Sequence, residues 1–330
     1  MADKRKKDSF KKIIKAILRI TISFGLLAIL ILINYKHLEH VPELLKNLNI
    51  LFLVLSIIFY FASIMIEAPR WRILLLTHKI NIPIFYLLNS VLIGGFYNTL
   101  LPTSVGGDAY RGIDLHRKFK VSVHENILSL LLGRFLGIIS GIVFLLISFC
   151  FKMYKHLSMP FAIGLAIFFP IVIFLVILLV IPKKFKLDVL FGRIKLLRRF
   201  KKSVLEFSEL LDSFKRKGRY VFVSFLYSMI SNLFSFASFY FIGLSINIKL
   251  GFIPFMFIIP VTWTISNIPI TLGGFGLREN TLVILLKEFG VSSSSALTFS
   301  LIVLVINIFM AIIGAIMLII RNAINRNKEI

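Results

Sequence analysis

Cysteine is almost absent from this sequence, and acidic residues are scarce. Cys150 is its one cysteine, and 15 Asp and Glu stand against 39 Lys and Arg. A single thiol excludes an internal disulfide framework and any all-cysteine metal site. The six histidines are scattered and offer no metal-ligand spacing. Charge of either sign is thin: 16% of residues are charged and 58% are hydrophobic, with a mean hydropathy of +0.92. A soluble domain of this length carries far more charged surface. HExxH, GxSxG, Walker A and paired-carboxylate signatures are all missing, so no catalytic residue, cofactor or metal is expected, and ATP-driven pumping by this chain alone has no support. The formal net charge of +24 is not a nucleic-acid signature. It comes without zinc-finger spacing, an RNP-like motif or a basic region separable from the apolar part, so nucleic acid is not an expected partner.

What is present is a series of long apolar runs, which predicts an all-α polytopic membrane protein. The positive-inside rule orients it. Residues 1–19 hold Lys4, Arg5, Lys6, Lys7, Lys11, Lys12, Lys15 and Arg19 against Asp3 and Asp8, which puts the N-terminus in the cytoplasm. The run Ile13–Ile33 is too long for a secretory signal and lacks a small-residue cleavage site, so it is read as a retained first span. A second span over Ile50–Ile66 returns to a basic turn holding Arg70, Arg72 and Lys79. The segment 183–219 has thirteen basic residues and four acids (13 − 4 = +9) and must be cytoplasmic. Its apolar positions, from Phe191 to Phe214, make an amphipathic pattern suited to lying on an anionic leaflet. Working back from that anchor, Phe161–Ile181 runs inward and Asn126–Phe151 outward. The apolar stretch from Ile84 must then enter and come back. Tyr220–Gly243 runs outward, and Thr298–Ile320 ends inside beside Arg321, Arg326 and Lys328. The expected fold is an inverted-topology repeat, residues 1–158 and 159–330. Each half has three spanning helices and one re-entrant broken hairpin, near 84–107 and 252–275. The cell membrane, with both termini cytoplasmic, is the expected location.

One spaced phrase occurs twice. Pro102-x-x-x-Gly106-Gly107-x-x-x-Arg111 follows Asn98, and Pro269-x-x-x-Gly273-Gly274-x-x-x-Arg278 follows Asn267. Proline removes a helical hydrogen bond and a glycine pair permits unusual backbone, so both are read as hinge turns. Paired helix breakers in corresponding halves point to a transporter-type site at a repeat interface. One arginine at such a place reads as a side chain reaching for water. Two at equal spacing from a Gly-Gly pair suggest a ligand. The guanidinium fork suits phosphate, and free N–H groups of the turns would add to it. Asp108 and Glu279 lie next to these arginines as charge partners. Arg134 interrupts an apolar helix and must face a partner or water, with Asp108 or Glu67 as candidates. Gly133, Gly137 and Gly141 form a packing ladder beside it. Ser224, Ser228, Ser231, Ser235 and Ser238, with Asn232, form a stripe that suits either close packing or a polar groove. Asn307 is expected to bond between helices.

These motifs resemble the membrane region of lysylphosphatidylglycerol synthases, a wider flippase-like family. The resemblance rests on Arg70-Trp71-Arg72, on Asn98 with Leu101-Pro102, on Gly106-Gly107-Asp108 with Tyr110-Arg111, and on Gly273-Gly274-Phe275-Gly276-Leu277-Arg278-Glu279. It covers nearly the whole chain. It implies a lipid translocator acting on aminoacyl-phosphatidylglycerol or a polyprenyl-phosphate-linked lipid. The cytosolic synthase domain of full-length multiple-peptide-resistance proteins has no counterpart in this sequence, so lysyltransferase activity is not expected. Membrane lipids are the expected partners, with a separate lipid synthase or glycosyltransferase as a further one. Two other readings stay open. One is an intramembrane headgroup transferase with Asp108 or Glu279 as base. The other is a non-transporting protein that recruits a synthase through the basic loop.

Overall fold

The computed structural model describes residues 2–101, 106–159, 163–164, 214, 217–268 and 270–326. Every regular element among them is helical. In chain order they are α1 (Ala2–Ile33), α2 (Tyr35–Leu38), α3 (Val41–Lys46), α4 (Ile50–Met65), α5 (Glu67–Leu76), α6 (Ile84–Leu100), α7 (Gly106–Phe119), α8 (Val123–Cys150), a 3₁₀ turn at Met153–His156, α9 (Gly218–Ser245), α10 (Ile253–Ser266), α11 (Leu277–Glu288) and α12 (Ser293–Arg326). Four segments among the described residues are long and apolar enough to cross a membrane: Ile50–Leu76, Val123–Cys150, Gly218–Ser245 and Ser293–Ile324. Ile17–Ile33 with Tyr35–Lys46, bent by 75°, is a fifth if the pair counts as one.

The order span, short apolar helix, break, second helix, span occurs twice: α4–α5 through α8, and α9 through α12. The short helices, 17 residues in α6 and 14 in α10, are about 26 and 21 Å long at 1.5 Å per residue, less than a hydrocarbon core of about 30 Å. The first stops for a local reason. Leu101 precedes Pro102 and is pushed to extended backbone (ψ 141°), because a proline disfavours the helical region for the residue before it. After α10, Gly273, Gly274 and Gly276 have φ of 52°, 81° and 78°, a left-handed region open to glycine at little cost.

The first spans of the two units lie antiparallel. The Asn49 amide donates to the Ser245 carbonyl at one end (2.8 Å). Ser231 donates to the Ser63 carbonyl further along (2.9 Å), and Arg70 meets Ser228 (3.5 Å). The packing between units is reciprocal: α6 lies on α12, and α10 lies on α8. Backbone proximity enforces the first contact, where a Cβ on Gly314 would collide with the Leu92 carbonyl. An aromatic core of Phe236, Phe255, Phe257 and Phe299 fills the second unit. Trp71, Leu75, Leu87, Val91 and Leu115 centre the first.

The helices also differ from expectation. The second span does not end at Ile66, because the helix continues as α5, so Arg70 and Arg72 are helical and not in a basic turn. Pro69 is tolerated there because it sits in the first turn of α5, where its missing N–H costs little. The expected first hairpin contains two helices, α6 and α7, and Gly106 and Gly107 begin α7 instead of forming the turn. The segment between the expected first and second spans is helical at α2 and α3. Pro102, Pro269, and nearly all of the span 161–181 and of the basic loop 183–219 lie outside the described residues.

The α1 helix braces the second break. Ser23 Oγ accepts from the Leu272 amide (2.7 Å), and Asn280 Nδ2 donates to the Leu26 carbonyl (2.9 Å). A Cβ on Gly276 would sit 2.7 Å from the Ser23 carbonyl oxygen. Gly276→Ala should therefore lower stability by about 1–3 kcal/mol through overpacking and strained backbone. Thermal unfolding of the detergent-solubilised protein measures it.

Candidate functional site

The two breaks meet. A Cβ on Gly273 would lie 3.2 Å from the Asn98 carbonyl oxygen and 3.4 Å from Thr99 Cα, so the second turn rests on the end of α6. Beside this contact, between the two units, is a cavity of ≈ 290 Å³. Arg111 and Arg278, one from each copy of the phrase, both line it, together with Arg70, Arg134, Glu67 and Asp108. Tyr60, Trp71, Asn98, Phe275 and Asn307 complete the polar and aromatic wall.

The charges hold one another in place. Arg111 Nη2 pairs with Glu67 Oε2 (3.1 Å) and donates to the Val91 carbonyl (3.2 Å). Its Nη1 lies 3.5 Å from Asp108 Oδ1, one helical turn back on α7. The other oxygen of Asp108 pairs with Arg134 Nε. The neighbouring backbone is fixed through α8 and α5: Asn126 Nδ2 donates to the Arg111 carbonyl (3.1 Å), and Trp71 Nε1 donates to Asn126 Oδ1 (3.1 Å). The Arg111 guanidinium also lies over the Trp71 ring at 6.0 Å, within cation–π range.

Arg278 is held differently. Its Nε and Nη2 donate to Glu279 Oε1 (2.9 and 2.6 Å), and it lies over the Phe275 ring at 5.5 Å. Glu279 is fully buried, and its Oε2 accepts from the Gly276 amide (2.6 Å). The carboxylate thus satisfies an orphan donor at the start of α11 and suits the positive end of that helix. Among the described residues, four guanidiniums and two carboxylates line the cavity; counting Glu279 behind Arg278, these carry one positive charge in excess, which an anion would balance.

Other expected residues serve these. Asn98 Oδ1 accepts from the Gly107 amide (2.8 Å), so Asn98 caps the start of α7 at the cavity edge. Asn267 is outside the central cavity. It lines an adjoining chamber of ≈ 200 Å³ that shares Tyr60, Asn98, Arg134, Gly273, Arg278 and Asn307, and its amide donates to the Trp263 carbonyl of its own helix (2.8 Å). The serine stripe packs closely: Ser224, Ser228, Ser235 and Ser238 are buried, and none lines either cavity. Asn232 Nδ2 donates to Ser140 Oγ (2.6 Å), and Gly141 meets Pro260 and Asn232. Asn307 bonds between helices as expected, accepting from the Tyr60 hydroxyl (2.8 Å), and it also faces the cavity.

Tyr60 and Asn126 belong to no motif in the sequence, and Arg70 lies in a helix and not in the expected turn. The signal for Arg70 was its spacing: Glu67, Arg70 and Trp71 share a helical face once the helix is extended past Ile66. Tyr60 carried no distinguishing signal in a run of apolar and aromatic residues.

Residues 16–314 match the family described as the lysylphosphatidylglycerol synthase TM region. Two archaeal relatives are similar over most of their length. A UPF0104 membrane protein of Pyrococcus horikoshii is 24% identical over 297 residues, covering 84% of this chain and 89% of its own. A UPF0104 membrane protein of Methanocaldococcus jannaschii is 26% identical over 341 residues, covering 96% and 98%.

Proposed function

Since the chain belongs to the lysylphosphatidylglycerol synthase transmembrane-region family, we propose that it moves an anionic, phosphate-bearing lipid between leaflets. One observation carries this reading: the arginines of both motif copies line a single cavity with an excess of positive charge, at the junction of two units. The lipid is an aminoacyl-phosphatidylglycerol-like or polyprenyl-phosphate-linked molecule, and the protein performs no covalent step on it. Asp108 and Glu279, the two carboxylates that could act as a base, are each engaged by arginine, which suits charge compensation better than proton abstraction.

The two units act as an inverted repeat. Their antiparallel first spans and reciprocal packing support that arrangement, which places a shared site near mid-membrane. The face bearing Arg117, Lys118 and Arg321 is cytoplasmic by the positive-inside rule, as are both termini, in the cell membrane. An external lipid synthase or glycosyltransferase supplies the substrate.

The test is mass spectrometry of lipids that co-purify with the wild type and with an Arg111→Ala/Arg278→Ala double variant. One lipid class enriched at least tenfold in the wild type and absent from the variant is expected, and it names the headgroup. Equal lipid profiles in the two preparations would remove the assigned role.

A further inference from the structure

The charged cavity accounts for a headgroup but leaves the hydrocarbon part of a lipid without a place. Next to it is a groove of ≈ 390 Å³ whose lining exposes no polar surface. Leu53 and Ile57 of α4 form one wall, Ile302 and Ile306 of α12 the other, and Leu45 and Leu48, in and just after α3, close one end. Ile57 is one helical turn before Tyr60, and Ile306 is next to Asn307. The groove and the charged cavity therefore share the α4–α12 wall, and the Tyr60–Asn307 hydrogen bond stands between them. From Ile50, where α4 begins, Tyr60 is about 15 Å along the helix, half of a 30 Å hydrocarbon core.

We infer that the groove between α4 and α12 holds an acyl or prenyl chain of the same lipid molecule whose phosphate occupies the arginine cavity, and that Tyr60 and Asn307 mark where headgroup gives way to chain. This rests on the phosphate-lipid reading above. A free anion of the same headgroup chemistry would need the cavity and not the groove.

The corresponding seam in the other unit is shut, which gives the groove its significance. Asn307 follows Gly273 by the same number of residues as Ser140 follows Gly106. At Ser140 the helices α8 and α9 are in close contact through Asn232 and Gly141. The α8–α9 seam is thus packed through small residues, whereas the α4–α12 seam, bridged at the equivalent position by the Tyr60–Asn307 hydrogen bond, is lined beyond that bond by aliphatic side chains. The groove ends at α3, where Val41, Leu45 and Leu48 line it.

The experiment uses the full chain in vesicles containing phosphatidylglycerol with a photoactivatable acyl chain. Groove peptides carrying Ile57 and Ile306 should be labelled, and Arg278→Ala should reduce that labelling at least fivefold, because a chain held by its headgroup leaves with it. Labelling unchanged in Arg278→Ala would mean ordinary bilayer lipid fills the groove, and the inference falls while the phosphate reading stands. A second variant avoids any folding defect at the charged site: Val305 lines the groove and is 62% exposed, so a larger side chain there is tolerated. Val305→Trp should slow leaflet exchange of long-chain phosphatidylglycerol at least fivefold and leave binding of water-soluble dihexanoyl-phosphatidylglycerol within twofold. Exchange at the wild-type rate would overturn the groove assignment. No binding of the dihexanoyl lipid by the wild type would overturn the phosphate reading and, with it, this one.

Discussion

Removing Arg278 alone should cost the fold about 3–5 kcal/mol, whereas removing it together with the charge on Glu279 should cost little. The figure is that for stranding one member of a buried ion pair, and the geometry fits the case. Glu279 is fully buried, one of its oxygens is bound by the Gly276 amide, and Arg278 supplies its cationic partner at 2.6 Å. Arg278→Ala leaves a carboxylate with half its solvation. Arg278→Ala/Glu279→Gln keeps the amide acceptor that starts α11 and removes the uncompensated charge, so its unfolding free energy should return to within about 1 kcal/mol of the wild type. Leaflet exchange in proteoliposomes should not return: both variants should be at least tenfold slow. Exchange restored in the double variant would assign Arg278 a purely architectural role. The comparison separates a residue that holds the protein together from one that holds its ligand.

The second large effect is expected at the crossing of α6 and α7, where two glycines face each other. A Cβ on Gly107 would collide with the Gly94 carbonyl and lie 2.8 Å from the Asn98 side chain; a Cβ on Gly94 would lie 2.6 Å from Arg111 Nε. The first obstacle is backbone, which yields only if the helices part. The second is the guanidinium that points between Glu67 and Asp108. Gly107→Ala should lower stability by about 1–3 kcal/mol and displace Arg111 from its pairs. Gly94→Ala should cost less stability but alter the cavity directly. Gly95→Ala is the internal control: nothing lies within 4 Å of its Cβ position, and alanine is the better helix former by about 1 kcal/mol. Thermal unfolding of the three in one detergent should rank them Gly107→Ala, Gly94→Ala, Gly95→Ala, the first least stable. A different order would mean that α6 and α7 approach less closely than described.

The location of the cavity was legible in the sequence because charge in an apolar run is costly and therefore informative. Arg134 stands out for that reason, with Asp108 or Glu67 as its candidate partner, and Arg111 and Arg278 stand out by their equal spacing from a Gly-Gly pair. The α6 and α10 breaks were legible too, from Pro and Gly at matched spacing. Arg70 was misplaced because Glu67, Pro69, Arg70 and Arg72 within six residues look like a turn. The helix persists because proline in a first turn breaks nothing. The roles of Gly106 and Gly107 could not be read from the phrase itself. Their spelling matches Gly273 and Gly274, yet the second pair answers to backbone angles, while Gly107 answers to the carbonyl of Gly94 on another helix and Gly106 to Leu101. Whether the serine stripe packed or lined a passage likewise depended on which helices faced it, and α4, α5 and α8 do.

That difference between the two copies of the phrase has a consequence for energetics. In the inverted-repeat reading proposed above, an exchange of shapes between the two units gives a second arrangement of similar free energy that mirrors the first. The mirror is imperfect here. To take the shape of its counterpart, the first unit must bring Gly106 and Gly107 out of a helix, which glycine permits cheaply, and the second must wind Gly273 and Gly274 into one, which α1 opposes through Ser23 and Leu26. If the two units exchange shapes as the proposed lipid movement requires, the α1 helix biases that exchange toward the arrangement described here, through Leu272, Gly276 and Asn280 and without lining the cavity.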